Sequence, residues 1–65
     1  MKYAVVIEKS KRNYAAYVPD LPGCVATAKT RPAVERAIRR AVAFHIDGLL
    51  ADGLPVPRPT TVVAV

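Results

Sequence analysis

The chemistry open to this 65-residue chain rests on five carboxylates, one histidine, one cysteine and ten cationic side chains. A two-metal nuclease needs several acidic oxygens converging from neighbouring strands and a helix. Glu8, Asp20, Glu35, Asp47 and Asp52 do not have that spacing: Glu8 closes an alternating segment, Asp20 falls in a proline-rich turn, Asp47 lies on the polar side of a helical pattern and Asp52 ends it. Those are ordinary places for surface acids, which leaves a degenerate nuclease as a third reading behind the two below. His45 falls on the apolar side of the same helical pattern, where a lone ring is more often packed than catalytic, and no nucleophile neighbours it in sequence. Cys24, the single cysteine, excludes an intrachain disulfide and reads as a small buried hydrophobe. No catalytic residue, metal site or cofactor is expected.

The cations are the remaining chemistry. Arg36, Arg39 and Arg40 share the solvent side of the helical pattern, and Lys11 and Arg12 sit with Lys9 in a polar run between two alternating segments. These side chains can neutralise phosphates, so a stand-alone nucleic-acid-binding module using a basic helix face is a second reading. The bland alternative is a solvated face, helped by Glu35 and Arg39 at i,i+4 spacing. There is no glycine-rich phosphate cradle, and Tyr3, Tyr14 and Tyr17 lack the paired aromatic motif of an RNA-recognition sheet. Binding to nucleic acid should be weak and non-specific.

The elements that must position these groups follow from periodicity. Residues 3–8 and 14–18 alternate, with Tyr3, Val5 and Ile7 facing one way in the first and Tyr14, Ala16 and Val18 in the second. Lys9 to Asn13 is a hairpin-loop run, in which Asn13 tolerates the left-handed conformation. Residues 24–28 are a third strand of small residues. Thr30 is a candidate N-cap with Pro32 in the first turn, and Val34, Ile38, Ala41, Val42, His45, Ile46 and Leu49 recur at helical spacing up to the Asp52-Gly53 stop. Pro55, Pro57 and Pro59 make the next segment extended. Thr60 to Val65, TTVVAV, reads as a last strand with nothing to blunt its edge. The order is βββαβ, an α+β two-layer sandwich in one domain spanning 1–65.

A net charge of +5, 52% hydrophobic residues and a mean hydropathy of +0.19 exclude a disordered tail. No apolar run approaches the ~18 residues of a membrane span, and the N-terminus lacks a secretory pattern, so the default address is the cytosol. A core this small leaves apolar surface over, because one helix covers one face of a sheet. A homo-oligomer, dimer or tetramer, is expected.

Between strands two and three, Pro19, Asp20, Leu21, Pro22 and Gly23 combine fixed φ, a side-chain acceptor and a permissive φ. The loop is rigid. It either presents Asp20 and Leu21 to a partner at a fixed place or turns Leu21 inward while Asp20 caps the turn. A tyrosine strand running into PDLPGC, then a small-residue strand, a threonine-started helix and the tail DGLPVPRPT resembles the HicB-like antitoxin family. The resemblance implies a reduced ribonuclease-H-like fold with the last strand parallel to the first. It also implies a non-catalytic antitoxin that binds a HicA-type mRNA-cleaving toxin and masks the toxin's histidine. On that reading, Pro19 to Gly23 and the nearby strand edge are the contact surface, and this chain lacks the C-terminal DNA-binding domain that full-length relatives commonly add.

Overall fold

A computed structural model describes residues 3–60. Three short strands, β1 (Val6–Lys9), β2 (Tyr14–Tyr17) and β3 (Val25–Ala28), form an antiparallel sheet in chain order, and a single helix, α1 (Arg31–Ala51), packs on one face. This is the expected α+β two-layer arrangement as βββα. Of the expected last strand, Thr60 is described and is not in a strand, while residues 61–65 lie outside the described residues. The strands are shorter than their alternation suggests because pairing, not propensity, sets their ends.

Register follows from alternation. Ile7 pairs with Ala16 and Ala16 with Ala26, and Lys9 pairs with Tyr14 and Tyr14 with Ala28. Those two rows face the helix. Val6–Tyr17–Val25 and Glu8–Ala15–Thr27 form the rows of the other face. The core is Ala16, Val18, Leu21, Cys24, Val34 and Ile38, with Tyr3, Val5, Ile7, Ala41, Val42 and Ile46 among the half-buried side chains around it. Small residues at 16, 24, 26 and 28 let the helix lie close over β2 and β3.

The helix has defined ends. Thr30 is extended, and its Oγ1 accepts a hydrogen bond from the Ala33 N–H at 3.2 Å, with Pro32 in the first turn where no donor is needed. At the other end the Gly53 N–H donates to the Leu50 carbonyl (3.1 Å) and the Leu54 N–H to the Leu49 carbonyl (2.9 Å), with Gly53 at φ +69°. That bond pair is a Schellman closure, which needs the left-handed glycine. Among the described residues no helix is long and apolar enough to cross a membrane.

Candidate functional site

The Pro19–Gly23 loop is two consecutive turns sharing Leu21. The Leu21 N–H donates to the Val18 carbonyl (3.1 Å) and the Cys24 N–H to the Leu21 carbonyl (3.0 Å), while the Val18 N–H closes the base on the Cys24 carbonyl (3.2 Å). Each proline takes the second place of its turn, and Gly23 at φ +85° fills the third place of the second turn, as a type II turn requires. This geometry drives Leu21 inward to zero exposure. Full burial of a leucine stabilises by about 1.5–3 kcal/mol. Asp20 is engaged by the far end of the chain: its two carboxylate oxygens accept from the Thr60 N–H (2.9 Å) and the Thr60 hydroxyl (3.0 Å). The inward-turning alternative for Leu21 is the one the fold adopts, because the shared corner of the two turns lies over the sheet end. The exposed members of the loop are Pro19, Pro22 and Gly23.

Beside these exposed residues runs the loop-end row of the uncovered sheet face. Tyr17 and Val25, directly paired, are 39% and 64% exposed, and half-buried Val6 extends the row across β1. Apolar side chains paired across strands on a solvated face are unusual, since that face normally carries the polar half of the alternation. Among the described residues no strand pairs with the outer edge of β3, which runs beside the same row.

Eight of the ten cations fall into two groups. Arg36, Arg39 and Arg40 are exposed along the helix as expected, but Lys11 and Arg12 do not join them. They line a separate depression at the opposite end of the sheet, with Lys9, Lys29 and Arg31. Asn13 is not left-handed. Instead its Oδ1 accepts from the Ser10 hydroxyl at 2.6 Å and its carbonyl from the Ser10 N–H at 2.9 Å, which closes the hairpin by side-chain bonding. The carboxylates stay dispersed: Asp20 meets Thr60, Glu35 meets Arg31 at 3.2 Å on the surface, and no group of three metal-ligating side chains occurs among the described residues. His45 is half-buried on the flank of the helix. Cys24 is buried, and desolvation pushes its thiol above the ordinary range, the environment of a packing residue and not of a nucleophile.

Residues 3–65 match the family model described as the HicB-like antitoxin of bacterial toxin–antitoxin systems. The chain belongs to the HicB-like antitoxin family. Its fold is similar to that of a chain in the HicA3 and HicB3 toxin–antitoxin complex, with a TM-score of 0.78 and 30% identity over 92% of this chain and 70% of that one. An uncharacterized 14.9 kDa protein of Haemophilus phage HP1 is 36% identical over 58 residues, 89% of this chain and 44% of the phage protein. UPF0150 proteins of Helicobacter pylori and Thermoplasma acidophilum are 41% and 36% identical, covering 75% and 89% of this chain and 68% and 86% of their own lengths. This HicB-like chain thus spans less than half of the phage relative and more than two thirds of the other two.

Phasing of the helix around Arg36, Arg39 and Arg40 leaves out one residue of this HicB-like chain that the structure brings forward. Phe44 is 81% exposed, on the same side as Arg40 and Gly48, and Leu50 and Leu54 are exposed nearby in sequence. The signal was present, since Phe44 is four residues from Arg40 and three from Asp47 on the polar side.

Proposed function

We propose that this chain is an antitoxin that binds and masks a HicA-type mRNA-cleaving toxin. The contact surface in this reading is the apolar row Val6–Tyr17–Val25, the open edge of β3, and the loop rim of Pro19, Pro22 and Gly23. The observation that carries it is the directly paired, solvent-facing Tyr17 and Val25 beside a loop fixed by two prolines. Aromatic and aliphatic side chains on a rigid frame lose little entropy on docking, and an open strand edge offers backbone hydrogen bonds to a partner strand. Family membership and the likeness to a chain of a toxin–antitoxin complex support the reading. Leu21 and Asp20 contribute by holding the loop, Leu21 from inside the core and Asp20 through Thr60.

The same reading makes the chain a cytoplasmic homo-oligomer, dimer or larger. An exposed phenylalanine on a helix favours a second copy. Helical spacing makes this face self-complementary: two copies paired antiparallel about Ala43 and Phe44 set Arg40 of each opposite Asp47 of the other.

The test uses a HicA-type toxin expressed together with this chain. The parent chain should co-purify with it and suppress its cleavage of a reporter mRNA. Val25→Glu, at a solvent-facing position, should keep the parent's thermal midpoint while weakening the complex by at least about tenfold, ~1.4 kcal/mol. No complex with the parent, or equal affinity for the variant, would contradict the reading.

A further inference from the structure

We propose that the depression between the first hairpin and the start of α1 binds the phosphate backbone of a single-stranded nucleic acid. It encloses about 430 Å3 and is open to solvent. Lys9, Lys11, Arg12, Lys29 and Arg31 line it, and no carboxylate does. Two stretches far apart in sequence supply these five cations, the hairpin run and the β3–α1 junction, and only the antiparallel fold brings them together.

The surrounding chemistry does not offset this charge. Alternation sends Glu8 to the other face of the sheet, with Ala15 and Thr27. Asp20 bonds Thr60 at the far end of the sheet, Asp47 lies in the last turns of α1 and Asp52 follows as its C-cap. Glu35 reaches Arg31 at 3.2 Å on the surface. Lys9 is held over the Tyr14 ring, 5.9 Å from its centroid, which orients the cation without neutralising it. The first turn of α1 carries no acid, so the positive end of the helix dipole adds charge of the same sign.

Charge balance selects the ligand. Five cations against Glu35 leave an excess of four. A single phosphate supplies roughly two negative charges. Consecutive phosphodiesters supply one each along an extended strand, so a short run of them matches both the charge and the open shape. The site lies on the helix side of the sheet, whereas the row proposed for the toxin lies on the uncovered face, so the two proposals stand or fall separately.

The experiment measures anisotropy of a labelled short oligouridylate with the full chain at several salt concentrations. For the parent, affinity should fall steeply with salt. A combined Lys11→Gln, Arg12→Gln and Lys29→Gln variant should bind about tenfold or more weakly at low salt and lose about 2 from the log–log salt slope, at ~0.7 per phosphate contact. Changing Arg36, Arg39 and Arg40 together to glutamine should cost less than that. If the triple variant fails to fold, the single Lys11→Gln and Lys29→Gln variants should each remove about 0.7 of slope. The proposal is overturned if the hairpin variants bind like the parent, if the helix variant loses more, or if pyrophosphate at equal phosphate concentration displaces the oligonucleotide.

Discussion

The two connections of the meander do opposite work. The Pro19–Gly23 crossing between β2 and β3 is closed by three backbone hydrogen bonds, plugs the core with Leu21 and is tied to Thr60 through Asp20. The Ser10–Asn13 crossing between β1 and β2 is wholly exposed, held by Ser10 and Asn13 alone, and carries Lys11 and Arg12 into solvent. The loop richest in turn signals is therefore the one that contributes most to the fold. The loop of plain polar residues is free to carry charge, because altering it removes no buried contact.

Substitutions at the two ends should separate accordingly. Leu21→Ala is expected to have the largest effect, about 2–5 kcal/mol of lost stability, since a fully buried leucine at a fixed corner leaves a cavity that two prolines keep from collapsing. In a domain of this size that loss approaches the whole stability, so urea unfolding should show a largely unfolded variant. Asp20→Ala should cost about 1 kcal/mol, read by the same titration, through the two hydrogen bonds from Thr60 at a partly exposed carboxylate. At the basic end, Thr30→Ala should cost a similar ~1 kcal/mol by uncapping α1, visible as reduced helical circular dichroism on warming. The combined glutamine variant of Lys11, Arg12 and Lys29 should change stability by less than ~0.5 kcal/mol. A large loss there would break the division between the two ends.

Cys24 reports on the tight end by another route. Its thiol is raised by burial, so the native state holds the proton more firmly than the unfolded chain does. This contribution is fully present below the ordinary thiol range and is lost as pH rises from that range through the raised native value. At mildly alkaline pH, alkylation of native Cys24 should be much slower than in the urea-unfolded chain, and Leu21→Ala should abolish the difference.

Much of this was legible from residue types. Thr30, Pro32 and Gly53 marked both helix ends, and alternation in the first two strands grouped the side chains that share a face, because capping, φ restriction and two-residue periodicity are local. The motif PDLPGC marked the rigid loop and the family. What periodicity leaves open is where the loop's side chains point, since Leu21 is equally at home in a core and in an interface, and only the two shared turns decide. Lys29 and Arg31 were separated from Lys11 and Arg12 by the whole of β2 and β3, so the basic depression depends on register. Thr60 on Asp20 spans 40 residues and no local signal announces it.

On the proposed reading, the uncovered sheet face beside the proline loop meets the toxin. Methyl and aromatic NMR of the chain titrated with a HicA-type toxin reads which face docks. The Val25 and Val6 methyls and the Tyr17 ring should shift on binding, while the buried Leu21 methyls, the Lys11 region and the Phe44 ring should change little. Shifts confined to Phe44, Leu50 and Leu54, with Val25 and Tyr17 unmoved, would contradict it.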